Sequence, residues 1–338
     1  MNLEQLADVA QRMGASGKGL LAADESSGTI KKRFDAIDLE STFENRRDWR
    51  EMLFRTTEAM SNHVSGVILF DETIRQDAAD GTPLVKLIEE TGAIPGIKVD
   101  AGAKPLAGFP GEKVTEGLDG LRDRLNEYYE LGARFAKWRA VIDIDAQLPS
   151  PTSVAANMHA LARYAALCQE ANIVPIVEPE VLMDGGHDVD RCYEVTEWVL
   201  KHLFMELFSA RVVLEGAVLK PNMVISGKKC AKQAGVEEVA EKTIRCLKAS
   251  VPATVPTIAF LSGGQSDEDA TAHLNAMNAN GPLPWALTFS YGRALQAAPL
   301  KAWSNKKDVA AGQAAFNHRA RMNGLATRAE WTPQLESA

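Results

Sequence analysis

Eight short apolar runs recur along the chain, each ending in polar residues and each followed by a helical pattern. They are GLLAADES (19–26), VSGVILFDE (64–72), IPGIKVDAG (94–102) and FAKWRAVIDI (135–144), then IVPIVEPEV (173–181), AVLKPNMV (217–224), TIAFLSGG (257–264) and WALTFSYGR (285–293). A half-exposed strand alternates apolar and polar residues. These runs are nearly continuous, as strands covered on both faces are. Between them, LDGLRDRLNEYYELG, PTSVAANMHALARYAALCQEA and DVDRCYEVTEWVLKHLFMEL repeat apolar residues at three- and four-residue steps, the mark of one buried helix face. Strands alternating with helices imply parallel pairing. Eight such units predict a closed (β/α)8 TIM barrel, and the G-x-G-x-x-G that would favour a doubly wound sheet does not follow the first run. An amphipathic N-terminal helix (MNLEQLADVAQRM) precedes the barrel, which spans about residues 17–300. A helical arm (DVAAGQAAFNHRARMNGLA) and a polar tail fill about 301–338, so the chain reads as a single domain, 1–338.

In such a barrel chemistry sits at the C-terminal ends of the strands, and strand residues two apart point the same way. The first run ends in Asp24 and Glu25; the third offers Lys98 and Asp100, the fourth Lys137 and Arg139, the fifth Glu178 and Glu180, the sixth Lys220 and Asn222. One charged residue at a strand end is usually a solvated boundary, but the same coincidence on successive strands predicts a shared cavity. Lys220 is the most unusual of them. It follows Ala217, Val218 and Leu219 and precedes Pro221, which cannot continue a ladder. A lysine tip reaching back to solvent is the competing reading. Inside the cavity, desolvation and the nearby Lys137 both disfavour the ammonium, lowering a pKa that starts near about 10.4. The neutral amine then attacks a carbonyl to give a Schiff base, with carboxylates moving the protons.

Anion binding is the second theme. LSGGQSDEDATAHL sets Ser262, Gly263 and Gly264 before a helix start carrying Ser266 and Asp269, a capping-box pattern. Helix N-termini suit phosphate, and barrels commonly place phosphate in the loops after strands 7 and 8. FSYGRAL adds Ser290, Gly292 and Arg293 in the second of those loops. ESSGTIKKRF, after the first strand, offers Ser26, Ser27, Lys32 and Arg33, with a solvated helix face as the alternative. Two anion sites flanking an amine suit a doubly phosphorylated substrate.

The formal net charge of −8 argues against nucleic-acid or anionic-membrane partners. No run approaches the ~18–20 apolar residues of a membrane span, and the N-terminus lacks an apolar signal core, so a cytoplasmic protein is expected. Cys168, Cys192, Cys230 and Cys246 form no C-x-x-C pair and read as reduced thiols. His187-Asp188 has the look of a ligand pair, but the six histidines are scattered; neither metal nor cofactor is expected.

GKGLLAADESSGTI, GIKVDAG, FAKWRAVI, ARYAALCQEANIVPIVEPEVL, LEGAVLKPNMV, FLSGGQS and PWALTFSYGRALQ together resemble, in order, the class I fructose-bisphosphate aldolases, over about residues 17–304. The resemblance implies reversible, metal-independent cleavage of fructose 1,6-bisphosphate to dihydroxyacetone phosphate and glyceraldehyde 3-phosphate. It implies Lys220 as the Schiff-base lysine, Glu178 as general acid/base with Glu180 beside it, Lys137 as the electrostatic partner, and Asp24 on the substrate hydroxyl. Ser262, Gly263, Gly292 and Arg293 would hold the phosphate of the dihydroxyacetone half, with Gly264 and Ser290 also among the substrate-binding residues. Ser26, Thr29, Arg33 and Lys98 would lie nearer the other phosphate, and Arg139 near the hydroxyls. A homotetramer is the family's usual assembly. Two features depart from many members: Ala101 stands where KVDKG has lysine, and no tyrosine follows Tyr291, so a tail tyrosine for proton exchange is not in this sequence. Another Schiff-base phosphosugar aldolase or transaldolase, for instance on sedoheptulose 1,7-bisphosphate, and a non-catalytic barrel scaffold are the competing functions.

Overall fold

A computed structural model describes residues 1–304 and 306–337. All eight apolar runs form strands: β1 (Gly19–Ala23), β2 (Val64–Leu69), β3 (Ile94–Lys98), β4 (Phe135–Ile142), β5 (Val174–Val181), β6 (Val218–Leu219), β7 (Thr257–Phe260) and β8 (Ala286–Tyr291). Each pairs in parallel with the next, and Leu20 opposite Ser290 closes the barrel. The hydrophobic runs are continuous because each strand is buried toward the barrel axis on one side and toward a helix on the other.

The axis is filled by Leu20, Ile68, Ile94, Phe135, Ile176 and Val218, among others, in one apolar cluster with Leu6, Val9, Ala10 and Met13 of the helix Leu3–Met13. Phe135 occupies space left by Gly96, where any Cβ would collide with its ring. Each fully buried Leu, Ile or Phe of this plug contributes about 1.5–3 kcal/mol by leaving water. The N-terminal helix is pinned over the strand starts: Ser65 Oγ donates to Met13 O (2.7 Å) and Thr257 Oγ1 to Ala10 O (2.8 Å). The floor of the barrel is therefore closed, and polar chemistry is confined to the opposite mouth.

The arm forms the helix Val309–Ala326, which packs on Phe43–Phe54, Thr57–His63, Asp267–Ala279 and Arg293–Trp303 and so joins the helical ring. The segment read as a polar tail is tied down. Trp331 is buried, its N–H donating to Asn275 Oδ1 and its indole to Glu336, which also pairs with Arg319. Single charged residues such as Glu336 give no sequence sign of such partners. Two features are absent from the apolar pattern: the hairpin Ala103–Pro105/Lys113–Thr115 and the two helices Phe43–Phe54 and Thr57–His63 ahead of β2. No described helix is long and apolar enough to cross a membrane. All four cysteines are free thiols, and only Cys230 is not buried.

Candidate active site

At the C-terminal mouth lies a cavity of about 270 Å³. Most candidates named from the sequence line it: Asp24, Ser26, Thr29 and Arg33 after β1, Lys98 on β3, Lys137 and Arg139 on β4. Glu178 and Glu180 come from β5, Lys220 from the end of β6, Ser262, Gly263 and Gly264 from the β7 loop, and Ser290, Gly292 and Arg293 from β8 and its loop. Ala22, Glu25 and Leu261 complete the wall. Strand register explains the convergence, since Lys98 stands opposite Lys137 and Arg139 opposite Glu178.

Asn222 and Asp100 do not line the cavity although the two-residue period predicts it, and Ser27 and Lys32 lie outside it too. Asn222 is buried away from the cavity, its Oδ1 accepting from Val181 N (3.0 Å) and its amide donating to Thr196 Oγ1 (3.1 Å). The ladder of β6 ends at Leu219, so the alternation lapses there, and Asn222 instead pins the irregular buried segment 220–227. Ser27 and Lys32 lie on the solvent face of the helix Ser27–Asp35, leaving Arg33 as the cation of that turn.

Lys220 is 4% exposed and its Nζ lies 3.4 Å from Glu178 Oε1. Lys137 Nζ lies 2.7 Å from Asp24 Oδ2 and 3.4 Å from Glu178 Oε2. Glu178 thus stands between the two ammonium groups. Burial is the largest influence on both lysines and works against their charge. For Lys137 it is overcome by Asp24, Glu178 and Asp100, which raise its pKa above that of free lysine. Lys220 has one shared carboxylate at hand. Burial and repulsion by Lys137 win there, and its pKa falls. One lysine is fixed as a cation and the other is predisposed to become an amine. Burial also opposes charge on Asp24, but Lys137, Lys220 and Lys98 bring its carboxyl down to about 2.

The remaining groups are held by one another. Arg139 pairs with Glu180. Lys98 Nζ sits 2.7 Å from Asp100 Oδ1, while Asp100 also accepts from Gly102 N and Arg139 N. Gly263 (φ +55°) and Gly264 (φ +78°) are left-handed, a geometry that turns successive amides toward one side. Ser266 caps the following helix by accepting from Asp269 N (3.0 Å), and Gln265, held by His273 (2.6 Å), donates to Ser262 O (2.9 Å). Ser290 Oγ is buried with no protein partner among the described residues.

Sequence reasoning missed the support of Arg33. Glu25 Oε1 accepts from Arg33 Nη1 (2.5 Å) and from Gln296 Nε2 (2.8 Å), and Arg50 Nη2 reaches its other oxygen (3.3 Å). Arg50 is wholly buried. Its signal was available: it shares a helical stripe with Leu53 and Phe54, three and four residues on. Gln296 carried no such cue. Arg33 also reaches toward the β8 loop, since a Cβ on Gly292 would lie 3.6 Å from its Nη2.

A parallel barrel whose mouth gathers a buried lysine of lowered pKa, close carboxylates and two left-handed glycines before a helix has the groups that chemistry on a phosphorylated carbonyl compound calls for. The sequence model of the family described as fructose-bisphosphate aldolase class-I matches residues 5–338. The chain belongs to the class I fructose-bisphosphate aldolases, and it is a lyase. It is 61% identical over 333 residues to a probable class 1 fructose-bisphosphate aldolase of Xanthomonas campestris pv. campestris, covering 98% of this chain and 99% of that protein. It is 53% identical to fructose-bisphosphate aldolase 1 of Toxoplasma gondii, over 96% of this chain and 90% of that one. Among solved structures, fructose-bisphosphate aldolase from Plasmodium falciparum, crystallised with TRAP and a small-molecule inhibitor, superposes with a TM-score of 0.95 at 48% identity, covering 98% and 96% of the two chains.

Proposed function

We propose that the neutral amine of Lys220 attacks C2 of fructose 1,6-bisphosphate, the observation carrying this being its burial 3.4 Å from Glu178 and within reach of Lys137's repulsion. Glu178 gives a proton to the departing hydroxyl of the carbinolamine, so water leaves and a protonated imine forms. Asp24 takes the C4 hydroxyl proton as the C3–C4 electron pair flows into the imine, releasing glyceraldehyde 3-phosphate and leaving an enamine on Lys220. A carboxylate brought down to about 2 is a weak base. It suffices because bond cleavage turns that hydroxyl into a strongly acidic oxocarbenium O–H. Protonation and hydrolysis of the enamine free dihydroxyacetone phosphate. Glu180 orients Arg139 toward the sugar hydroxyls. Ser262, Gly263, Gly264, Ser290, Gly292 and Arg293 take one phosphate; Ser26, Thr29 and Lys98 face the other, with Arg33 between them.

Borohydride reduction in the presence of dihydroxyacetone phosphate tests the assignment. One covalent adduct on Lys220 and loss of activity are expected; an adduct mapped to Lys137 or Lys98 would overturn the roles.

The same reading places the enzyme in the cytoplasm as a homotetramer. Free thiols suit a reducing compartment, and Met205 and Phe208, 69% and 84% exposed at the end of the helix Val189–Ser209, give an apolar face for a second copy. Sedimentation equilibrium should return four chains per particle; a monomer at micromolar concentration would remove the assembly.

A further inference from the structure

The phosphate cradle after β7 has a local charge problem. Its helix, Asp267–Ala279, begins with Asp267, Glu268 and Asp269, three carboxylates at the end where the helix dipole would otherwise favour an anion. A phosphate there carries up to two negative charges, and Arg293 supplies one positive charge from the β8 side.

A second cation reaches the same place from the β6 side. Gly264 has no side chain, and a Cβ built on it would lie 2.8 Å from Lys228 Nζ, 3.3 Å from Lys228 Cε and 3.0 Å from Arg293 Nη2. The ammonium and the guanidinium therefore converge over one face of one glycine, from opposite loops. The backbone under Lys228 is fixed: Lys228 N donates to Met183 O (2.7 Å), Lys229 N to Gly185 O (3.0 Å) and Gly227 N to His187 O (2.9 Å). Its ammonium is not fixed in the same way. Among the described residues it makes one bridge, 3.2 Å to Asp184 Oδ1, and the two side chains are 43% and 66% exposed. Such an exposed pair contributes about 0–1 kcal/mol, so a dianion on the glycines can outcompete it.

We propose that Lys228 is a specificity-determining ligand of the phosphate held by the β7 loop, leaving Asp184 when that phosphate binds. This rests on the reading of the loop as a phosphate site. With Arg293 it forms a two-cation clamp whose charge offsets the acidic first turn and discriminates a phosphorylated triose from its neutral analogue. The residue takes no part in bond making.

Steady-state kinetics with fructose 1,6-bisphosphate, together with inhibition by inorganic phosphate and by dihydroxyacetone phosphate, test the assignment on Lys228→Ala, Lys228→Arg, Asp184→Asn and Arg293→Ala. Lys228→Ala should raise KM and both inhibition constants about tenfold, the loss expected of a charge-assisted bond. Its kcat should change less than twofold and borohydride labelling of Lys220 at saturating ketone phosphate should persist. Lys228→Arg should restore most of the affinity, and Asp184→Asn should tighten phosphate by freeing the ammonium. If Arg293→Ala weakens phosphate while Lys228→Ala does not, Lys228 is a surface lysine paired with Asp184 and the assignment falls while the loop's role stands. If neither variant weakens phosphate, the anion sits elsewhere and both readings fall together.

Discussion

Lys220→Met is expected to lose on the order of 10⁵-fold or more of kcat, the scale on which removal of a covalent nucleophile is felt. Progress curves at saturating fructose 1,6-bisphosphate measure it, and borohydride should then leave the protein unlabelled. Methionine fills nearly the same volume without a charge to desolvate, so thermal unfolding should occur at the same temperature or above it. Glu178 keeps Lys137 as its counter-ion at 3.4 Å. Activity within a hundredfold of the parent would mean that another amine does the chemistry. Lys137 is ill-suited to that role, because Asp24 and Glu178 stabilise its charge.

Lys137→Met should cost about 10²–10⁴-fold at neutral pH, in the range of a positioned proton-transfer group, and should also displace the pH profile. Two effects act on Lys220 in the same direction. The repulsion that lowers its pKa disappears, and Glu178 and Asp24, no longer neutralised by Lys137, attract a proton to it more strongly. Both raise the pKa of Lys220, so the acid limb of kcat/KM moves to higher pH and part of the activity returns in alkaline buffer. Asp24 loses its nearest cation and its carboxyl rises from about 2. An acid limb that stays in place or moves lower would remove Lys137 as the electrostatic partner. A pure positioning role would lower the whole profile without moving it.

The eight strands were legible because burial on two faces leaves an uninterrupted apolar trace, and the cavity because charged residues interrupt that trace at the same relative position on different strands. Lys137 and Arg139 interrupt β4 in this way, and Glu178 and Glu180 interrupt the C-terminal half of β5. Lys220 was legible through Pro221, which marks the end of its ladder. Asn222 was misread by the same rule: alternation holds only while a strand is paired, and β6 is paired for two residues. Arg50 could be read as buried from its helical stripe but not as a partner of Glu25, 25 positions away, and Gln296, 271 positions from Glu25, gave no cue at all. Lys228 sits in SGKKC, where nothing in the neighbouring letters distinguishes a clamp from a solvated loop. Hydrophobic periodicity reports what a residue is buried against; it carries no information on which distant charge it faces.

The helix Leu3–Met13 closes one end of the barrel, leaving the opposite mouth as the doorway shared by the bisphosphate and both trioses. On the proposed mechanism the aldehyde fragment is released from its bond first, while the ketone fragment is still tethered to Lys220. Departure is therefore sequential, and the reverse condensation must load its two trioses in the opposite order, ketone before aldehyde.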